Sequence, residues 1–119
     1  MEGDKNNNPL FIKADLLAKE VYFATRDFPR HEQYGLTSQL RRAGLSVILN
    51  IVEGFARQTP KEFHRFLLIS FGSLKETKYL LYFAKEQKYL DDLNYQKILS
   101  ISEEVAKILW TIINKKAPI

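Results

Sequence analysis

The chain has no cysteine, and this absence removes several kinds of chemistry at once. A disulfide framework, a thiolate zinc site and a cysteine nucleophile are all excluded. Only two histidines are present, His31 and His64, and neither has a carboxylate or second histidine at a metal-motif spacing. A di-iron helical bundle needs Glu-x-x-His on two helices, and that pattern is missing. No run approaches the roughly 20 apolar residues that span a bilayer. The first eight residues are polar and lack the apolar stretch of a signal peptide, so the expectation is a soluble, cytoplasmic protein with no membrane association. There is no block of like charges. Residues 1–58 carry 8 Lys/Arg against 7 Asp/Glu, and residues 59–119 carry 10 against 7, so the net charge of +4 is spread along the chain. Such a balance permits contact with nucleic acid but does not demand it.

What remains fits one globular domain. At 119 residues, with 45% hydrophobic and 27% charged residues, the chain can build a sizeable core without a metal or disulfide. No segment alternates with period two, so no strand is expected. Residues 1–9 read as a disordered tail, and 10–119 as the folded domain. The first helix runs from about Phe11 to Arg26, with Leu10, Ala14, Leu17, Val21, Ala24 and Phe28 at spacings of three or four. It stops before Pro29, because proline disfavours the α conformation in the residue ahead of it. The second runs from about Leu36 to Ala56, with Thr37 or Ser38 as its cap. Thr59-Pro60-Lys61-Glu62 is a capping box that opens a third helix reaching Gln87, with Phe63, Phe66, Leu67, Ser70, Leu74, Thr77, Leu81 and Ala84 inward. Asp91 or Asp92 caps a fourth, striped by Ile98, Ile101, Val105, Ile108 and Ile112. Ala117-Pro118-Ile119 follows it. Short connections favour an all-α, antiparallel, up-down-up-down four-helix bundle.

The second helix carries more apolar surface than such a bundle buries. Leu36, Leu40, Ala43, Val47 and Ile51 form one face, while Leu45, Ile48, Leu49 and Val52 lie elsewhere around the cylinder. This predicts a subunit interface or another covering element. Between them runs a polar stripe, Gln39, Arg42, Ser46, Asn50, Glu53 and Arg57, within about 80° of arc. Flanked by apolar surface, these groups are expected to be partly buried and to need partners. Two readings apply: a network that fixes helix register or oligomer contacts, and a ligand site. No nucleophile stands beside a base, so no catalytic residue and no cofactor is expected. On the third helix, Lys61, Arg65, Lys75, Lys78 and Lys85 populate the outward side beside His64, interrupted by Glu62, Glu76 and Glu86. A solvated charged face and a phosphate-contacting surface both account for them. Gly72, with Ser70 and Ser73, reads as a small-residue patch for close helix approach.

Phe28-Pro29, Glu32, Tyr34-Gly35-Leu36, Gln39, Arg42-Ala43, Ser46, Asn50 and Glu53-Gly54 resemble the pattern of the 23S rRNA-intervening-sequence proteins. Glu62-Phe63, Phe66-Leu67, Gly72-Ser73-Leu74 and Glu76-Thr77 extend the likeness, which spans about residues 10–115. Gly44, Val52 and Ser70 stand where the family usually has alanine, and Gly44 suggests a tight contact. The resemblance implies a four-helix bundle assembled as a homopentamer, with no established catalytic activity. Some members are encoded within insertions in large-subunit rRNA genes. Similar proteins are accessory factors of diversity-generating retroelements, where a basic pentamer binds nucleic acid and a reverse transcriptase. A five-fold ring of this chain would carry a formal charge of about +20. The expectation is therefore a non-enzymatic homo-oligomer that binds RNA or DNA through basic surface, with phosphate contacts from the third helix and from the connection before the second. A protein-interaction scaffold is the alternative.

Overall fold

A computed structural model describes residues 8–115. The element order is α1 (Pro9–Thr25), a 3₁₀ turn (Arg30–Glu32), α2 (Leu36–Phe55), α3 (Pro60–Glu86) and α4 (Asp92–Ile113). Residues 1–7 of the expected tail and the Ala117-Pro118-Ile119 run lie outside the described residues. Within the described part, α1 starts two residues earlier than the periodicity indicated: Asn8 Oδ1 accepts from the Leu10 amide at 2.9 Å, and Pro9 takes the first helical position.

Each helix packs on two others around a closed ring, α1–α2–α3–α4–α1, with the diagonal pairs held apart across the core. All four pairings are antiparallel. Phe11 meets Phe55 while Thr25 meets Arg41, so α1 and α2 run in opposite senses. Ser46 meets Ser73 while Gly54 approaches Phe66, which reverses α3 against α2. Lys78–Glu103 and Lys85–Asp92 do the same for α3 and α4, and Lys13–Glu104 and Lys97–Glu20 for α4 and α1. The result is a rod of 51 × 24 × 23 Å.

The core draws a stripe from every helix: Leu10, Leu17 and Val21; Leu40, Val47 and Ile51; Leu67, Leu74 and Leu81; Ile98, Val105 and Leu109. On α4 the buried stripe moves from the expected Ile108 and Ile112, which are half-buried, to Leu109 and Ile113. A turn of 3.6 residues drifts against a strict three-four alternation, and the core follows the helix.

Two caps hold as the residues indicated. Thr59 accepts from the Glu62 amide at 3.1 Å, and Asp91 from the Asn94 amide at 2.7 Å. The start of α2 is different. Thr37 and Ser38 lie inside the helix, and the cap acceptor is Glu32, whose Oε1 takes the Leu36 amide at 3.1 Å. Gly35 makes room for it, since a Cβ there would sit 2.8 Å from that carboxylate oxygen. The end of α3 closes as a Schellman motif: the Tyr89 amide donates to Ala84 and the Lys88 amide to Lys85, both at 2.9 Å. Lys88 occupies the left-handed position, φ 66°, where glycine is the usual residue.

Candidate functional site

The polar stripe of α2 lies along its α3-facing flank and divides into three parts. At its middle, Ser46 and Ser73 hydroxyls lie 2.7 Å apart, and Asn50 Nδ2 donates to the Ser46 carbonyl at 2.8 Å and to its hydroxyl at 3.0 Å. These half-buried groups link α2 to α3. Ser70 strengthens the same seam, donating from a fully buried hydroxyl to the Val47 carbonyl at 2.7 Å. At the C-terminal end, Arg57 and Glu53 form an exposed i,i+4 pair at 2.8 Å, and Arg57 stacks over Phe66. At the N-terminal end, Gln39 and Arg42 are exposed, with no side-chain hydrogen bond among the described residues. Only Ser46 and Asn50 are therefore buried in the way the flanking apolar residues suggested. Arg42, expected to find a partner, has none within the described chain.

On the flank of α2 that faces α1, a Cβ added at Gly44 would lie 3.6 Å from Val21, and Arg41 reaches Thr25. Between that flank and the α3 flank, Leu45 and Val52 are half-buried and Leu49 is 58% exposed. The surplus apolar surface on this helix is thus real and points outward. Other exposed apolar groups were not singled out from the sequence. On α3, Leu68, Ile69, Tyr79, Tyr82 and Phe83 face solvent, with Tyr79 at 60% exposure. At 100° per residue they centre on the side of α3 opposite Leu67, Leu74 and Leu81.

The cations of α3 are unequal. Arg65 pairs with Glu62 at 3.1 Å, Lys78 with Glu103 at 2.8 Å and Lys85 with Asp92 at 3.9 Å. The Arg65 hydrogen bond holds the Glu62 carboxyl below the ordinary range, and the same bond raises the guanidinium. Lys61 and Lys75 have no carboxylate partner among the described residues. Lys75 lies over the Phe71 ring at 5.2 Å, and Phe71 packs on Trp110 of α4 at 5.5 Å between centroids. Trp110 is 56% exposed. Lys78, by its hydrogen bond, and then Lys75 and Lys107 hold the Glu103 carboxyl low against the opposing effect of burial. Lys78 thus pairs with Glu103 across the α3–α4 seam, with Lys75 and Lys107 adding their positive field, next to the half-buried Phe71 and the exposed Trp110. This α3–α4 face offers both the cations and the flat apolar surface that nucleic acid requires.

The two histidines serve the helices. His64 Nε2 lies 3.0 Å from the Ile113 carbonyl at the end of α4, placed to donate to it. His31 meets the Tyr89 hydroxyl at 3.4 Å. Burial, and then the Glu32 carboxylate that accepts the Tyr89 hydroxyl proton at 3.2 Å, raise that phenol above its ordinary value. Among the described residues no three His, Asp or Glu gather as a metal set, and no helix is long and apolar enough to cross a membrane.

Comparison with known proteins bears on this arrangement. The sequence pattern of the family described as 23S rRNA-intervening sequence protein matches residues 6–111. Among solved structures, the chain is similar to a protein of unknown function of the S23 ribosomal protein family from Bacteroides thetaiotaomicron. That likeness has a TM-score of 0.81 and 25% identity, covering 89% of this chain and 99% of the other. No curated protein matches.

Proposed function

Because the chain belongs to the 23S rRNA-intervening sequence protein family, we propose that it is a cytoplasmic, non-enzymatic homo-oligomer that binds structured RNA, or another nucleic acid, through basic surface. The observation that carries this reading is the α3–α4 face, where Lys78 bonds Glu103 at 2.8 Å, Lys75 and Lys107 add their positive field, and Lys75 lies over Phe71, which packs on Trp110. Lysines there attract phosphates without fixing sequence. An exposed indole stacks on an unpaired base, a contact worth about 1–3 kcal/mol. Polar side chains of the interior are engaged in helix-to-helix or helix-to-main-chain bonds, which favours structural roles for them over catalytic ones.

Assembly is the second half of the proposal. Leu45, Leu49 and Val52 form an outward row on α2, and covering a leucine fully stabilises a contact by about 1.5–3 kcal/mol. Five copies are expected from the family likeness. Gln39 and Arg42 of the stripe lie near this row and become contact residues between subunits. Light scattering on the full chain gives the mass. Leu49→Glu should lower it, while circular dichroism keeps its helical signal. Anisotropy with a fluorescent rRNA hairpin should show affinity falling steeply with salt, and Lys75→Gln/Lys107→Gln should weaken it about tenfold or more. RNA affinity that is absent at low salt would sink the nucleic-acid half.

One observation favours a different partner. Tyr79, Tyr82 and Phe83 form an exposed aromatic group on α3, with centroid separations of 6.4 Å. That surface suits a protein, and a scaffold for a partner such as a reverse transcriptase is the second reading. Tyr79→Ala would then abolish capture of that enzyme and leave RNA affinity unchanged.

A further inference from the structure

At the end of the bundle where α1 meets the connection to α2, the surface folds into a cleft of about 390 Å³. Its rim holds three guanidinium side chains, Arg26, Arg30 and Arg41, together with Thr25, Gln33 and Thr37. It lies on the α1–α2 side of the rod, away from the lysines of α3 and α4. None of the three arginines has a carboxylate partner among the described residues.

The acids of this segment are turned to other uses. Glu32 is occupied by the Leu36 amide and the Tyr89 hydroxyl. Asp27 lines a separate cleft against α4, with Glu20 and Asp91. The first turn of α2 holds no acidic residue. Positive charge of the three arginines is therefore not cancelled by a bonded carboxylate within the cleft.

Arg41 is already set for a ligand. Its Nε–H donates to Thr25 Oγ1 at 2.7 Å, one further N–H donates to the Tyr22 carbonyl at 3.3 Å, and the guanidinium lies over the Tyr22 ring at 4.6 Å. A guanidinium has five N–H donors. Two are used to hold the side chain still, and the others remain for an acceptor. Little rotamer entropy is then lost on binding. Arg26 and Arg30 are exposed, and the Arg26 guanidinium lies over the Phe23 ring at 5.4 Å.

We propose that this cleft is a phosphate-binding site, in which Arg26, Arg30 and Arg41 hold one phosphate group and the remaining space takes the attached sugar. Three guanidinium groups supply more charge than a carboxylate neutralises, and a tetrahedral phosphate offers acceptors in several directions at once. The volume falls within the usual range for a small-ligand pocket, about 300–1,000 Å³. The phosphate can belong to a polynucleotide or to a free mononucleotide. For the first source the inference rests on the nucleic-acid reading above; for the second it does not.

The experiment uses the full chain and two double variants. Arg26→Gln/Arg30→Gln removes two exposed charges from the cleft and leaves Arg41, with its internal bonds, in place. Lys75→Gln/Lys107→Gln alters the distant α3–α4 face. Each protein is titrated with a fluorescent rRNA hairpin by anisotropy and with adenosine monophosphate by calorimetry. The cleft variant should lose about tenfold or more in affinity for whichever probe binds. For the hairpin, the slope of log affinity against log salt should also fall by about 0.7–0.9 for each phosphate contact removed. The lysine variant should leave mononucleotide affinity unchanged. Hairpin binding that the cleft variant retains in full, with no mononucleotide bound, overturns the site and leaves the nucleic-acid reading standing. Mononucleotide binding that the cleft variant loses, with no hairpin bound, supports the site and refutes the nucleic-acid reading. Binding of neither probe refutes both.

Discussion

Three glycines lie within the long helices, and alanine at one of them should act in the opposite direction to the other two. The propensity gain is common to all: Gly→Ala inside a helix favours folding by about 1 kcal/mol. The neighbours decide the rest. At Gly72 on α3, an added Cβ meets nothing within 4 Å, so the whole gain is retained. At Gly44 on α2, the new methyl would lie 3.6 Å from Val21, an ordinary contact, and the gain is kept there too. At Gly54 it would lie 3.2 Å from Phe66 Cβ, 3.5 Å from the Phe63 carbonyl and 3.7 Å from Leu67. Phe66 Cβ is tied to the α3 backbone and cannot swing away. The helices must separate by a few tenths of an ångström, and such overpacking costs about 1–3 kcal/mol. Gly54→Ala should therefore destabilise by about 0–2 kcal/mol, and Gly72→Ala should stabilise by about 1 kcal/mol. At about 2.1 cal/mol/K per residue of unfolding entropy, 1 kcal/mol moves the midpoint by about 4 °C for a chain of this length. The assay is thermal unfolding by circular dichroism at one fixed protomer concentration, since assembly makes the midpoint depend on concentration. A Gly54→Ala midpoint raised as far as that of Gly72→Ala would refute the close α2–α3 approach. A lowered Gly72→Ala midpoint would show that the outward face of α3 is covered in the assembled protein.

Two further outcomes follow from local geometry. Lys88→Gly relieves a left-handed backbone position at the end of α3 and should raise the urea midpoint, by up to about 1 kcal/mol of stability; a fall would mean that the lysine side chain holds the cap. The Glu103 carboxyl titrates below its ordinary value because Lys78 bonds to its charged form, so near pH 4 the unfolded chain binds more protons than the folded one. Stability from this pair is complete above about pH 4.3, is lost as pH falls through the lower folded value, and should show a shallower acid decline in Glu103→Gln; an unchanged urea-midpoint profile would show the pair to be inert.

The helices and their inner faces were legible because burial imposes a period. Leu17, Val47, Leu74 and Val105 sit where spacing placed them, and Thr59 and Asp91 cap as their side-chain chemistry requires. Features that depend on loop geometry or on a partner from another helix were harder to read. Glu32 caps α2 from four residues away through a 3₁₀ turn, and nothing in Thr37 or Ser38 reveals that they lie within the helix. The close approach assigned to Gly72 belongs instead to Gly54, because a small residue is silent about whether a neighbour fills its space. Ser46 and Asn50 were recognisable as members of a stripe, but their link to Ser73 needed the α2–α3 pairing. Arg41 was missed altogether. It lies on the flank opposite the stripe, and its only sequence clue was Thr25, a hydroxyl just before the break at Phe28-Pro29.

The Glu32 carboxylate joins two places that are far apart in the chain. One oxygen takes the amide that starts α2, and the other takes the hydroxyl of Tyr89, just past the end of α3. Tyr89 also supplies the amide that closes the α3 terminus. Fraying of α3 at this end therefore withdraws a hydrogen bond from the segment that carries Arg30. The last turn of α3 and the connection between α1 and α2 are thus tied together through a single acid, although 57 residues separate Glu32 from Tyr89.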